Sequence, residues 1–358
     1  MLGKVFRTLV GRGESRKPQR TASEWVDEGN VFAARGDHAT ALANYDEALL
    51  VDPGLAVAHN NRSLSLEAVG QLGEAWKEAE WRLEVQEGVR AFMRAVPIRR
   101  WRGELLAAGG LVVLWEQGFG DMLQYLRFLP LARARTSRLV FLCPPELERL
   151  VAASFPDVEV RAAGAPVTWT EFKAYVPLLS LPHVLGQDAS RLPGQPYLSV
   201  PRAPTGRRDG ELRVGIVWRS STFDPGRDCS LEDLLEIKSA AASVVSLQFG
   251  ATDAERRLLA AHGVPERVGA DFFETAQAML ELDALVSVDT SPAHLAAALG
   301  KPVLLLLNEP AAVRWGIARE DTPWYPSMRL FRRKPADPWR AVLAQVAQAL
   351  PATGRAAV

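Results

Sequence analysis

One stretch constrains the fold of this chain more than any other. Leu285–Leu307, LVSVDTSPAHLAAALGKPVLLLL, is an apolar run, a tight polar turn, a short helical pattern and a second apolar run. Two buried strands joined by a helix lie parallel, because the crossover returns the chain to the end of the sheet where it began. The unit is βαβ, and its polar residues gather at the carboxyl end of the first strand, where open α/β sheets bind ligands. Ser291 and Pro292 stand where a helix N-cap and first helical residue belong, so the amides of Ala293, His294 and Leu295 are expected to lack intrahelical partners. Such a terminus attracts phosphate. His294 adds a donor, and Asp289 and Thr290 add an acceptor and a hydroxyl. Capping or packing explains any one of Asp289, Thr290, Ser291 and His294; the four together favour a diphosphate site.

Length and composition narrow the classes. The 358 residues suffice for two ordinary domains and a small appendage, and 48% apolar content supports sizeable cores. The formal net charge is zero, so no global field recruits nucleic acid, and no basic domain with interleaved aromatics appears. Cys143 and Cys229 follow no metal-ligand spacing and are too few for a disulfide framework, which fits a reducing cytoplasm and leaves no zinc site visible. Residues 1–20 carry Lys4, Arg7, Arg12, Arg16, Lys17 and Arg20 against Glu14, with a broken apolar pattern. The pattern is too interrupted for a signal peptide and too short for a membrane span. The segment reads as a flexible basic tail, with weak membrane contact or partner docking as the alternative.

The amino-terminal third repeats. Gly36 and Gly70 stand 34 residues apart, as do Ala41 and Ala75, which is the period of a tetratricopeptide repeat. Trp25, Gly29, Phe32, Gly36, Ala41, Tyr45, Ala48 and Pro53 fill the first copy; His59, Ser63, Leu66, Gly70, Ala75 and Ala79 fill a degenerate second one. Two copies cannot bury a continuous face alone and must lean on something. They form either a docking surface for a protein or peptide, or a structural cap.

From Gly110 the pattern changes. LVVLWEQ reads as a buried strand, GFGD as a turn, and Met122 to about Arg133 as an amphipathic helix. Apolar runs follow from Phe141 and Ala174, and Pro182–Pro204 is rich in proline and glycine. Strands resume with LRVGIVW, VVSLQFG, LDALVSV and PVLLLL, four in all, which predicts a second parallel sheet. The expected chain is α/β: a basic tail (1–20), two repeats (21–85), a connector (86–108), two Rossmann-like domains (109–200 and 201–338), and a helix and tail (339–358) packing back across the halves. GFGD lacks the third glycine of the dinucleotide fingerprint and sets Asp121 at the helix start, which disfavours a Rossmann dehydrogenase. Asp121 reads as an N-cap or as a general base for a hydroxyl proton. Gly118 and Gly120 allow an acceptor or sugar close to the backbone.

Together these residues resemble a known group, bacterial proteins that join tetratricopeptide repeats to a heptosyltransferase-like (glycosyltransferase family 9-like) domain of GT-B fold. The carriers are EWRL at Glu80, RWRGELL at Arg100, EQGFGDMLQYLRFLPL at Glu116, YVPLLSLP at Tyr175, VGIVW at Val214, VSLQFG at Val245, VDTSPAHLAAALGKPV at Val288 and REDTPWYPSMRLFRR at Arg319. The resemblance implies that residues 109–200 take the acceptor and 201–338 a nucleotide-sugar. It implies catalytic roles for Asp121 and His294, with Arg227, Gln248, Asp289, Thr290, Ser291 and Ala293 on the donor and Gly118 and Gly120 on the acceptor side. A guanidinium at Arg227 would neutralise the departing diphosphate, or make a surface ion pair. The implied activity is cytoplasmic and metal-independent, needs no cofactor, and glycosylates a hydroxyl on a protein docked on the repeats, flagellin for example. The alternative is a non-catalytic scaffold that keeps the fold. This chain departs from the group in Arg219, Ser220 and Ser221 after Trp218, and in Val313 before Arg314 and Trp315. Trp324, Tyr325 and Pro326 form a rigid aromatic segment suited to a subsite wall or to domain packing.

Overall fold

A computed structural model describes residues 20–201, 211–220, 225–241 and 243–354; the tail expected over residues 1–20 falls, but for Arg20, outside them. The repeats form four helices: α1 (Ala22–Ala34), α2 (His38–Val51), α3 (Ala56–Ala68) and α4 (Leu72–Glu78). Gly36 and Gly70 occupy equivalent turns at φ 81° and 80°, a left-handed conformation that glycine adopts without a steric penalty. Gly29 is small for a different reason: a Cβ there would stand 2.6 Å from the Tyr45 ring of α2. After α4 the chain tightens through Ala79–Trp81 and Arg82–Val85 into α5 (Glu87–Ala95).

The first sheet contains β1 (Leu106–Leu114), β2 (Thr136–Cys143), β3 (Glu159–Ala162) and β4 (Phe172–Pro177), all parallel, in the order β3-β2-β1-β4. The second contains β5 (Arg213–Val217), β6 (Ser243–Ser246), β7 (Ala284–Val288), β8 (Val303–Asn308) and β9 (Met328–Arg333), again parallel, in the order β6-β5-β7-β8-β9. Two parallel sheets behind a helical segment make a GT-B-type arrangement. The second sheet has five strands where the sequence pattern led to four. β9 is MRLFRR, and its arginines mask the strand signal; as an edge strand it tolerates them, with Arg332 held by Glu309 at 2.6 Å and Arg333 by Asn308 at 2.5 Å.

Two further expectations are corrected. The helix after GFGD is α6 (Phe119–Tyr125), followed by a tighter turn over Leu126–Phe128 and a separate helix over Leu129–Arg133, because Pro130 cannot continue a helix from within. The terminal helix α8 (Trp339–Gly354) does not cross the halves. Its Trp339, Val342, Leu343 and Val346 join Leu231, Leu234 and Val288 on the second sheet alone, where they bury its apolar stripe.

The repeats lean on both sheets. Trp76 of α4 belongs to the same continuous core as Phe128, Trp315 and Trp324. Its ring centroid lies 5.9 Å from Phe128 and 6.0 Å from Trp324, and its Nε1–H donates to the Tyr125 hydroxyl at 3.2 Å. A second fastening joins several of the motifs that carried the resemblance. Arg82 binds Glu116 through two nitrogens at 2.6 and 3.0 Å, and also donates to Ser180 at 2.9 Å; Arg100 donates to Ser180 at 2.9 Å and pairs with Glu80. Glu116 also accepts the Leu179 N–H at 2.9 Å. Residues of EWRL, RWRGELL, EQGFGD and PLLSLP thus form one ion-pair bracket, with Arg82 and Glu116 only 11% and 10% exposed.

Candidate active site

The carboxyl ends of β1 and β7 meet where α6 and α7 (Ser291–Ala298) begin. Both ends lie at positions where strand order reverses within their sheets, the usual ligand crevice of open α/β folds. Gly120 allows the meeting. A Cβ there would stand 3.1 Å from Cδ2 and 3.4 Å from Nε2 of His294, so this glycine admits the opposite domain. Gly118 is the N-cap of α6, and its N–H donates to Asp121 Oδ2 at 3.2 Å.

On the β7 side the helix starts one residue earlier than the sequence suggested. Thr290, at φ −155° and ψ 169°, is the N-cap of α7, and its side chain makes no capping bond. Ser291 and Pro292 are therefore the first helical residues, and the Ala293 N–H closes on the Thr290 carbonyl at 3.0 Å. That amide was expected to be free and is not. Asp289 is 4% exposed and His294 2%. His294 Nε2 lies 3.8 Å from Asp289 Oδ1, and Nδ1 lies 3.0 Å from the Tyr325 hydroxyl. The carboxylate can only accept, so the pattern assigns the proton to Nε2, with the Tyr325 O–H donating to Nδ1. Burial opposes ionisation of Asp289, yet His294, Arg314 and Arg227 together hold its carboxyl well below the usual range. Burial pulls His294 below the ordinary imidazole range, against the attraction of Asp289 and with Arg314 adding to the fall. Asp289 Oδ2 is buried without a hydrogen bond among the described residues, and Arg227 Nη1 stands 3.5 Å from it.

Across the join, Asp121 Oδ1 is paired with Arg314 Nη2 at 2.5 Å, and Arg314 Nη1 donates to Gln124 Oε1 at 2.8 Å. Burial alone would lower the Arg314 pKa; Asp121, Asp289 and Glu67 more than reverse this and raise it. The guanidinium therefore links both sides of the join electrically. Asp121, Gln124 and Arg314 line a cavity of about 980 Å³ whose other walls include Glu67 of α3, Phe92 of α5 and Trp169. Gln124 is 1% exposed, and its Nε2 has no hydrogen-bond partner among the described residues. A buried amide donor without a partner is costly, and a bound oxygen in this cavity would satisfy it.

Other expected residues have different surroundings. Gln248 accepts from the Trp218 and Arg219 N–H groups at 3.1 and 2.9 Å and donates to the Arg219 and Phe249 carbonyls at 3.1 and 3.0 Å. Its amide is fully used in shaping the loop after β5. Arg219, which departs from the group pattern, is drawn away onto Glu255 at 3.0 Å and the Gly250 carbonyl at 2.9 Å. Trp324 and Tyr325 pack between the domains around Arg127, which donates to the Pro193 and Trp324 carbonyls at 3.0 and 2.6 Å. Two residues with no site role in the sequence reading stand at the site, Arg314 and Glu67, and Tyr325, read there as a subsite wall or as domain packing, joins them through His294. A charge at the carboxyl end of β8 was a usable signal for Arg314; nothing local marks Glu67.

Residues 270–338, which hold β7, α7, Arg314 and Tyr325, match the model of Glycosyltransferase family 9 (heptosyltransferase). The match is confined to that segment of the 358 residues. The chain is 25% identical over 402 residues to Protein FlbA of Caulobacter vibrioides, covering 91% of this chain and 66% of that protein, just under two thirds. It is 40% identical over 82 residues to the Inactive TPR repeat-containing thioredoxin TTL3 of Arabidopsis thaliana, covering 21% and 12%. Among solved structures, E. coli ADP-heptose lps heptosyltransferase II shares 15% identity over 68% of this chain and 99% of its own, with a TM-score of 0.47. No described helix is long and apolar enough to cross a membrane, and no described group of three His, Cys, Asp or Glu is placed to hold a metal ion.

Proposed function

We propose that this chain is a glycosyltransferase that moves a sugar from a nucleotide-sugar to a hydroxyl acceptor. The observation that carries the reading is the junction itself: a helix N-terminus with Asp289 and His294 faces, across Gly120, a cavity that holds Asp121, Gln124 and Arg314. In this reading the diphosphate lies at Thr290 and Ser291, where the helix dipole and amides favour negative charge. The His294 Nε2–H and Arg227 add donors. The acceptor oxygen bonds to the anomeric carbon as the carbon–oxygen bond to the diphosphate breaks, and the electron pair leaves with the nucleotide. Charge on the departing group is met by fixed protein donors, which assigns that work to Arg227, Arg314 and His294 without a metal. Asp121 takes the acceptor O–H proton, and Gln124 orients the acceptor. A protein acceptor, flagellin for example, reaching the cavity past the repeats, and a cytoplasmic setting where nucleotide-sugars are made, complete the proposal.

Calorimetry with a panel of nucleoside diphosphates and nucleotide-sugars, CMP-linked sugars included, tests it on wild type and His294→Ala. The expected result is one donor class that binds wild type and loses about 10- to 100-fold in affinity in the variant, the worth of a hydrogen bond to a charged group. A folded wild type that binds nothing across the panel transfers the case to a non-catalytic scaffold.

A further inference from the structure

The His294 ring is held from outside its own turn. Nε2 stands 3.8 Å from Asp289 Oδ1, beyond hydrogen-bond reach, whereas Nδ1 lies 3.0 Å from the Tyr325 hydroxyl. That hydroxyl is a meeting point. Tyr325 follows β8 in the second domain; Tyr197, on the segment joining the two sheets, stands 3.3 Å from it, oxygen to oxygen; and Arg127, from the turn after α6 in the first domain, lies 4.7 Å from its ring centre. The Tyr325 proton therefore has two acceptors within reach, Nδ1 of His294 and the Tyr197 oxygen. Tyr197 gives its own proton to the Leu123 carbonyl at 2.8 Å, and its oxygen accepts from Arg127 Nη2 at 3.3 Å. The nearer acceptor, Nδ1, is also the less occupied one. Arg127 is buried among carbonyls of Gln124, Pro193 and Trp324 at 2.8, 3.0 and 2.6 Å, with no carboxylate paired to it among the described residues. A cation left in that state polarises the adjacent phenol toward donation.

We infer that Tyr325 is a positioning residue for the donor site: its hydroxyl, turned onto Nδ1 by the Arg127 cation of the opposite domain, holds the His294 imidazole in the form whose Nε2–H meets the diphosphate. The inference rests on the transferase reading and adds a condition to it. His294 keeps its proton on the useful nitrogen while the domains are docked as they are here, because the group that turns Tyr325 comes from the first domain and the ring it fixes from the second. The other groups facing His294 are Asp289 after β7, Asp121 on α6, Arg314 beyond β8 and the Trp315 ring at 5.4 Å. The two carboxylates favour a charged ring, and burial and Arg314 oppose it. A second proton would have to sit on Nδ1, which would turn the Tyr325 O–H back onto the Tyr197 oxygen beside Arg127. The joint thus selects one neutral form of the histidine and resists the charged one. Asp289 alone does not make that selection at 3.8 Å, since a hydrogen bond fixes a tautomer and a distant charge only biases it.

The test labels the histidines of the full chain with nitrogen-15 and reads the ring nitrogens by NMR at neutral pH, the His294 signals being those missing from His294→Asn. Wild type should show Nε2 protonated and Nδ1 bare. Tyr325→Phe keeps the ring and removes only the hydroxyl; it should spread the proton over both nitrogens. In the same variant, calorimetric affinity for whichever of ADP, UDP and GDP the wild type binds should fall about 3- to 10-fold, the worth of one oriented hydrogen bond. Tyr197→Phe removes a hydroxyl from the same joint and leaves Tyr325 a single acceptor, so it should keep Nε2 protonated, which separates orientation from packing. A wild type with its proton on Nδ1, or a Tyr325→Phe protein with the wild-type ring pattern, overturns the inference and leaves the transferase reading standing. A Tyr197→Phe protein that scrambles the ring as Tyr325→Phe does also overturns it, by showing that packing alone sets the ring. A wild type that binds none of the three diphosphates overturns the transferase reading and the donor role of His294 with it.

Discussion

The donor side and the acceptor side of the junction are built in opposite ways. The donor side is local: β7, its turn and α7 are one uninterrupted stretch, and Asp289, Thr290, Ser291 and His294 lie within six residues of one another. The acceptor side is assembled from Glu67 in a repeat, Asp121 after β1 and Arg314 after β8, brought to one cavity only by tertiary packing. A local site depends on a helix that forms with its own sheet. A composite site depends on every fastening between its parts, and here those are Trp76 in the shared core and the Arg82–Glu116 bracket.

The largest effect expected from this contrast follows from breaking the bracket. Arg82→Ala leaves Glu116 buried without its counter-charge, while Glu80 keeps Arg100; the loss costs about 3–5 kcal/mol, measured by urea unfolding. The loss should be unequal between the two sides. Hydrogen exchange should rise across α3, α4 and the start of α6, while β7 keeps its protection, because Ala284, Val286 and Val288 lie in the second sheet's own core. Exchange that rises equally in β7 breaks the comparison, and a loss below about 1 kcal/mol shows that the shared core around Trp76 fastens the repeats without the bracket.

A medium effect separates the sides by pH. His294 is buried with a depressed pKa, so above its ordinary value of 6.5 both folded and unfolded forms are neutral and it contributes no slope. As pH falls below 6.5 the unfolded chain takes up a proton that the folded one refuses, and stability falls. His38, buried on α2 against Ser65 at 3.2 Å, is depressed as well and acts in the same direction. Denaturant unfolding between pH 7.5 and pH 5 should therefore slope downward on the acid side. Removing either histidine, as His294→Asn or His38→Gln, should flatten part of the slope, and a slope unchanged by His294→Asn sinks the claim that this ring is neutral in the fold. Asp289 works further down the scale: its depressed pKa gives stability that is full above its ordinary value of 3.8 and is lost as pH falls through the folded value.

The same contrast explains what could be read from the sequence. The βαβ unit was legible because its periodicity, cap and apolar runs are contiguous, and the error there was a single residue, Thr290 rather than Ser291 at the cap. The 34-residue period was legible because Gly36 and Gly70 answer to a backbone requirement at φ near 80°. β9 was hidden because an edge strand may carry arginine, and α8 was assigned too wide a role because an amphipathic pattern says that a face is buried but not against which sheet. Glu67 was out of reach in a stronger sense: no spacing relates a repeat helix to a loop nearly two hundred and fifty residues later. Even the motifs that carried the family resemblance, EWRL and RWRGELL, gave no hint that their charged residues meet as one bracket.

The smallest expected effect concerns the stability cost of Glu67. Its pKa is raised by burial, so from the ordinary value of 4.5 upward the unfolded chain sheds a proton that the folded chain retains, and the difference works against folding as pH rises toward the folded value. A neutral glutamine of nearly the same shape removes that cost. Glu67→Gln should therefore melt higher than wild type at pH 8, by about 1–2 °C for a chain of this size, and should lose the advantage at pH 4, where the carboxyl is protonated in both states. The local donor side has no counterpart, since the Asp289 carboxylate is stabilised by its neighbours and Asp289→Asn should melt lower. Opposite signs at two acidic positions of one junction are what a carboxyl raised by burial and a carboxylate held down by neighbouring cations require. A Glu67→Gln protein that melts lower than wild type at pH 8 would place Glu67 with Asp289 as a structural charge and erase the difference between the two sides.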